Sequence, residues 1–205
     1  LETMGQEWRD DPSNDDPAYA RIRVRSELET LEKVGLTPEA LALVAENMQH
    51  AKAALRRDVR AHAAEIVTVQ GGDLVVDRSK FIDLSFEHAR RLLAAALRYM
   101  SGRDYGPRRE EQITLLQAVR QGKKTTVSGC LLVPETDGVR ICREHDAVAG
   151  LRGGPQDIWD RRWRINGPDT AGVEVRALGD AGLRHCPDWR DSGISRVSLL
   201  ASPSI

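Results

Sequence analysis

Aromatic residues are scarce: Phe, Trp and Tyr make up only 4% of the 205 residues. The core must therefore be built mainly from Leu, Val, Ile and Ala, and a chain of this length can bury a sizeable one. No apolar run approaches the ~20 residues that a membrane-spanning helix needs, and the N-terminus lacks the basic-then-apolar pattern of a secretory leader. Neither sign of charge is in excess. Thirty Lys and Arg stand against 31 Asp and Glu, for a formal net charge of −1. That argues against bulk attraction to nucleic acid and leaves local clustering as the route to a basic face. Cysteine is sparse as well. Cys130, Cys142 and Cys186 fit neither a zinc spacing nor a disulfide framework, and the expectation is reduced thiols in a cytoplasmic protein. Cys130 and Cys142 are expected on neighbouring strands. The five histidines are scattered, and His145 beside Cys142 and Asp146 is too loose a set for a metal site. The chain also lacks a GxxxxGK(S/T) loop, a HExxH pair and a GxSxG elbow, so no autonomous active site is legible.

Residues 17–33 read as a short helix with Ile22, Leu28 and Leu31 on its apolar side. Thr37-Pro38-Glu39 carries the N-cap and Pro-first signature of a long helix. Its apolar positions Leu41, Val44, Met48, Ala51, Leu55 and Val59 continue to about Ile66, with Arg56, Arg57 and Arg60 outward. The period then changes: Ile66–Val69 and Leu74–Val76 flank Gln70-Gly71-Gly72-Asp73, a β-hairpin pattern. No helix start follows those glycines, so they do not make a phosphate loop. Ser85 opens a helix that ends at Gly102, and Pro107 opens another that Gly122 stops. Thr125–Val133 and Val139–Arg143 read as a strand pair around Thr136-Asp137-Gly138. Four Gly and Pro within 150–156 mark a boundary. Beyond it, Ile158–Ile165, Val173–Leu178 and Ile194–Leu200 read as short strands around a helical turn at Asp180–Leu183. The fold class is α+β: a helical domain with inserted β-hairpins over 17–149, then a small β-rich domain over 157–205. The start at Leu1 and the absence of an ending signal at Ser204-Ile205 give the expectation of a fragment, with the second domain cut short.

Arginine clusters carry the candidate chemistry. Asp16 and Pro17 can cap and open a helix on which Arg21 and Arg25, four apart, share a face. Two forked guanidiniums there suit a phosphate, a carboxylate or a backbone loop. Arg90-Arg91, Arg98 and Arg103 belong to the helix that Ser85 opens and to its end. Arg108-Arg109 open a helix, where the macrodipole disfavours cations; a placement that costs stability hints at function. Arg161-Arg162 and Arg164 alternate with Trp159 and Trp163. On a continuous strand, Arg162 and Arg164 would share one face and Trp159, Arg161 and Trp163 the other. Basic residues interleaved with aromatics can hold phosphates and stack bases. A solvated surface accounts for each cluster taken alone.

The run Trp8-Arg9-Asp10-Asp11-Pro12-Ser13-Asn14, followed by Tyr19, Arg21 and Arg25, resembles the junction segment of tRNA(Ile)-lysidine synthases. Arg90-Arg91-Leu92-Leu93, Gly106-Pro107-Arg108, Thr126-Val127-Ser128-Gly129-Cys130 and Cys142-Arg143-Glu144 follow in the order that family shows. Trp159–Trp163 and then Val175–Gly179 resemble the start of its last domain. The resemblance covers nearly the whole chain, and its most specific part is Asp11-Pro12-Ser13-Asn14. It implies that residues 1–16 are a linker from an N-terminal catalytic domain, whose Ser-Gly-Gly-x-Asp-Ser loop is absent here. In the full enzyme, ATP with magnesium activates the wobble cytidine of an isoleucine tRNA, and a lysine amine displaces AMP. The fragment alone is expected to be inactive and to carry no catalytic residue, metal or cofactor of its own. Its partners would be tRNA and its own catalytic domain, with no membrane or DNA, and a homodimer stays open. Arg21 and Arg25 would lie near the domain junction. Arg90, Arg91, Arg108 and Arg109 would meet backbone phosphates, and Arg161, Arg162 and Arg164 would help the last domain grip the acceptor region. Two alternatives stay open: a helical protein–protein interaction module with a solvated Arg-rich surface, and a separate enzyme whose site the sequence hides.

Overall fold

The computed structural model describes residues 16, 18–154, 156–164, 172–192 and 194–204, without the side chains of Arg21, Arg25, Ser26, Glu29 and Ser192. The chain divides into two compact units, Leu1–Ala54 and Leu55–Ile205. The first holds α1 (Ala20–Lys33) and the start of α2 (Pro38–Ile66). Gly35, at φ +86°, turns the chain between them. The Thr37 hydroxyl accepts from the Ala40 N–H at 3.2 Å, so the Thr-Pro helix start forms as the sequence indicates. Leu41, Val44 and Met48 lie on the apolar stripe of α2 yet are 44%, 55% and 65% exposed. Only further along, at Val59 and Ile66, does α2 bury apolar side chains completely.

The second unit is built on a five-stranded antiparallel sheet in the order β1-β2-β5-β4-β3. Its strands are β1 (Val67–Gln70), β2 (Asp73–Asp77), β3 (Thr125–Val127), β4 (Cys130–Pro134) and β5 (Gly138–Arg143). Leu74, Ile141 and Leu132 align across it, and pleating puts them on one face together with Val76 and Val139. Three helices connect β2 to β3: α3 (Arg78–Ile82), α4 (Phe86–Ser101) and α5 (Arg109–Gln121). Leu92, Leu93, Ala96, Leu97 and Met100 of α4 join Leu115, Leu116 and Val119 of α5 in the same core as the sheet residues. Each large side chain buried there contributes roughly 1.5–3 kcal/mol. The caps read from sequence hold: the Ser85 hydroxyl accepts from the His88 N–H, and Gly102 and Gly122 end α4 and α5 in left-handed conformations.

Thr125–Val133 departs from the expected single strand. Ser128 and Gly129 take φ of 53° and 71° and turn the chain between β3 and β4, whose facing residues are Val127 and Cys130. Both central positions are left-handed, as a two-residue type I′ hairpin requires. Cys130 and Cys142 do lie on neighbouring strands, but their partners across the ladder are Arg143 and Leu131. They therefore point to opposite faces, and both are buried free thiols.

Short elements complete the unit: β6 (Arg152–Gly153), β7 (Ile158–Trp159), β8 (Trp163–Arg164), β9 (Val175–Ala177), α6 (Gly179–Leu183), α7 (Arg196–Leu200) and β10 (Pro203–Ser204). Strand β9 pairs with β6 and β10, and Val148, Trp159, Val175 and Ala201 form a second small core. The expected strand over 158–165 is a hairpin. Asp160 and Arg161 both have positive φ, and the Arg162 N–H closes the turn on the Trp159 carbonyl at 3.1 Å. Trp159 consequently faces Trp163 across a ladder, and the alternation expected for Arg161, Arg162 and Arg164 does not form. The expected strand over 194–200 is helix α7, because the Ser195 hydroxyl caps the Ser198 N–H. The Ser198 hydroxyl in turn donates to Asp73, which also pairs with Arg140 at 3.3 Å. This buried network fastens α7 to the sheet face opposite α4 and α5. The mixed helix-and-sheet class expected from the sequence holds.

Candidate nucleic-acid interface

Helix α4 ends at Gly102, and the loop Arg103–Pro107 leads into α5. Together with the β3–β4 turn and the Asp160-Arg161 turn, this loop encloses an open cleft of about 660 Å³. Four guanidiniums line it, from Arg98, Arg103, Arg108 and Arg161, with Tyr105 among them. Asp104, Glu110 and Glu111 line it too. Arg108 is the N-cap residue of α5, and since a guanidinium has no acceptor it cannot cap the helix itself. Its backbone N–H instead donates to Glu111 Oε2 at 2.7 Å, while Glu111 Oε1 accepts from the Ser128 hydroxyl at 3.1 Å. The Glu111 carboxylate is thereby engaged, while Arg98, Arg103 and Arg108 are exposed. Arg161 reaches the cleft because its turn folds back over the end of α4, where its Nη1 donates to the Gly102 carbonyl at 2.9 Å.

The structure separates the expected arginines. Arg108 and Arg161 converge on the cleft, although they are distant in sequence. Arg109 is exposed on the first turn of α5, outside the cleft lining. Arg90 is turned to its neighbours: Nε and Nη2 grip the two oxygens of Glu87 at 2.8 and 2.6 Å, and Nη1 donates to Gln112 at 2.6 Å. It thus braces α4 against α5. Arg91 shares the same carboxylate at 2.6 Å. The Arg90 hydrogen bond, with help from Arg91 and against burial, holds the Glu87 carboxyl down to about 2. Arg162 points inward to Asp160 and to the Gly72 carbonyl, with its guanidinium 5.7 Å from the centre of the Trp163 ring. Arg164 is exposed at the end of β8. Arg21 and Arg25 sit on α1, but their side chains, like the Asp11-Pro12-Ser13-Asn14 segment, lie outside the described residues. Arg98, Arg103 and Tyr105 are additions to the expected set. The signal that could have found them is their position within one loop's reach of Gly106-Pro107-Arg108.

Neither ATP nor magnesium, which the resemblance implies for the whole enzyme, fits the candidate residues among those described. The glycine pair weighed above as a phosphate loop, Gly71-Gly72, is a hairpin turn already filled by protein. A Cβ at Gly72 would lie 2.5 Å from the Trp163 ring, and one at Gly71 would lie 3.1 Å from Ile194. Among the described residues no group of three or more His, Cys, Asp and Glu is placed to hold a metal.

Fold and cleft define an α+β unit that presents converging guanidiniums. No family model matches the chain. It is similar to the tRNA(Ile)-lysidine synthase of Ruegeria pomeroyi, with 38% identity over the whole chain and 49% of that protein. It also resembles those of Rhizobium meliloti, 27% identical over the whole chain and 45% of that protein, and of Anaplasma marginale, 27% identical over 88% of the chain and 41% of that protein. The similarity to tRNA(Ile)-lysidine synthases runs over residues 1–205, in keeping with the sequence resemblance. The chain spans about half the length, or somewhat less, of these curated relatives. Among the described residues no helix is long and apolar enough to cross a membrane.

Proposed function

We propose that this chain binds and positions tRNA for a cytoplasmic tRNA(Ile)-lysidine synthase. The full enzyme would join lysine to the wobble cytidine of an isoleucine tRNA with ATP, and the ATP site would lie in an N-terminal catalytic domain. Residues 1–16 would link to that domain, with 17–149 and 157–205 as the substrate-holding parts. The observation that supports this reading best is the convergence of Arg98, Arg103, Arg108 and Arg161 on one cleft in a chain similar to these synthases. Such groups give affinity and register through phosphates, and RNA specificity would come largely from shape. Arg109 and Arg164, both exposed, would add further contacts. Arg90, Arg91 and Arg162 would act by holding the elements that carry the cleft. The chain alone would not form lysidine.

Binding of labelled tRNA by the chain, followed by anisotropy from 50 to 200 mM salt, tests this. Affinity should fall steeply, with a log–log slope of about −0.7 to −0.9 for each phosphate contact. Arg108→Glu should make that slope shallower, and in the full enzyme it should leave ATP affinity unchanged. Affinity independent of salt would exclude phosphate contacts as the basis of binding.

One observation favours the alternative of a protein–protein interaction module. Leu41, Val44 and Met48 form an exposed apolar stripe on the first half of α2, a surface that suits a protein partner better than RNA. Pull-down of a protein partner that Met48→Glu abolishes, with tRNA binding absent, would support that reading instead.

A further inference from the structure

Tyr105 is 88% exposed, the highest value among the exposed large apolar side chains of the described residues. One exposed ring is ordinary, but the surroundings of this one are not. It lines the cleft with four guanidiniums, on a loop anchored at both ends. Gly102 closes α4 in the left-handed region, and the Pro107 carbonyl accepts from Gln112 at 2.7 Å. Two of the three described non-glycine residues with positive φ, Ser128 and Arg161, line the same cleft. Left-handed backbone at such residues costs free energy and persists only where the surroundings enforce it.

We infer that the cleft holds one unpaired nucleotide of the bound RNA, its base stacked on Tyr105 and its flanking phosphates on Arg103, Arg108 and Arg161. The inference rests on the tRNA-binding reading above. A duplex covers the faces of its bases and offers only phosphate and sugar, whereas an unpaired base exposes a face that an aromatic ring can cover. Guanidiniums that track a backbone beside an aromatic platform are the combination used for single strands. Asp104 and Glu110 on the same lining weaken attraction by charge alone, so stacking decides which part of the RNA occupies the cleft.

The test uses the 205-residue chain with two probes at fixed salt: a single-stranded RNA oligonucleotide carrying 2-aminopurine, and a blunt RNA duplex of equal length. Tyr105→Ala should weaken single-strand binding about ten-fold or more and leave duplex binding within about two-fold. Tyr105→Phe, which keeps the ring, should bind like the parent. The parent should quench 2-aminopurine and Tyr105→Ala should not, while the salt slope stays the same because no phosphate contact is lost. If Tyr105→Ala binds both probes like the parent while Arg108→Glu weakens both, stacking is wrong and the tRNA reading survives. If Arg108→Glu and Arg161→Glu also change nothing, the tRNA reading fails and takes this inference with it.

Discussion

Removing the Asp160 carboxylate should be among the most damaging changes available in the second unit. Its side chain is 4% exposed and that of Arg143 8%. Arg143 donates to it twice, Nε to Oδ2 and Nη2 to Oδ1, each at 2.9 Å. Arg162 adds bonds to Oδ2 at 3.1 and 2.9 Å. With the carboxylate gone, the Arg143 guanidinium loses its anionic partner and keeps a neutral one, its Nη1 donating to the Gly129 carbonyl at 2.7 Å. A buried charge stripped of its partner costs about 3–5 kcal/mol, a large part of the 5–15 kcal/mol typical of a whole domain. Asp160 also sits at φ 47°, so backbone strain must be separated from charge. Asp160→Gly removes the carboxylate and relieves the left-handed position; Asp160→Asn keeps the shape and tolerates that position but loses the charge. Urea unfolding followed by tryptophan fluorescence should give a loss of about 3 kcal/mol or more for Asp160→Gly and a smaller one for Asp160→Asn. Asp160→Gly combined with Arg143→Met should recover part of the loss, since the more buried of the two arginines is then gone, while Arg162 keeps its bond to the Gly72 carbonyl. A near-neutral Asp160→Gly, or losses that simply add in the double variant, would refute the account of the turn as ion-paired.

Glu87 sets a pH dependence. Its pKa falls from the ordinary 4.5 to about 2, chiefly through the Arg90 hydrogen bond. A lowered folded-state value gives stability that is complete above the unfolded pKa and lost as pH drops through the window from 4.5 to about 2. Because Glu87 is 38% exposed, Glu87→Gln should cost no more than about 1 kcal/mol at pH 7 and should flatten the stability curve between those limits; an unchanged curve would remove Glu87 as its source. Gly72→Ala should lower the thermal midpoint, because its Cβ would fall 2.5 Å from the Trp163 ring at a φ of +85°; a cost of about 1–3 kcal/mol is expected, and an unmoved midpoint would contradict the packing. Burial pushes the Cys142 thiol up to about 12 and raises that of Cys130, whereas Cys186 is exposed. A thiol reagent at neutral pH should therefore titrate one cysteine quickly and the other two only after unfolding, and three fast thiols would refute the burial.

Local rules were legible and non-local ones were not. Thr37-Pro38, Ser85, Gly102 and Gly122 each announce a helix end through their own side chain or its absence, and each is found there. The Gln70–Asp73 turn is announced by two glycines. The misread turns place non-glycine residues in the left-handed region: Ser128 in one, Asp160 and Arg161 in the other. Strand-forming residues flank each turn closely, Val127 and Cys130 in one and Trp159 and Trp163 in the other, so each stretch reads as one strand. In 194–200, β-branched Ile194 and Val197 favour a strand, and the Ser195 cap overrides them. The site failed to appear whole for the same reason. Arg108 is marked by its helix start, but its convergence with Arg161 depends on a turn that nothing in the local sequence signals.

The near-zero net charge also takes on a different meaning once the pairs are placed. Carboxylates do not dilute the arginines evenly. Glu87 takes up Arg90 and Arg91, Asp160 takes up Arg143 and Arg162, and Asp73 with Glu135 takes up Arg140. These acids are spent on bracing helices and burying cations, where opposite charge is required. Among the arginines they leave over, Arg98, Arg103, Arg108 and Arg109 are exposed on α4, α5 and the loop between them, beside Asp104, Glu110 and Glu111. Balance over the whole chain is therefore compatible with local excess at the surface. The sequence cluster Arg161-Arg162 mixes the two kinds, since Arg162 faces inward partners while Arg161 reaches the cleft. An exposed basic cluster in a chain of this composition is thus a consequence of where the acids are consumed, and reversing Asp160 or Glu87 should disturb it without altering any arginine of the cleft.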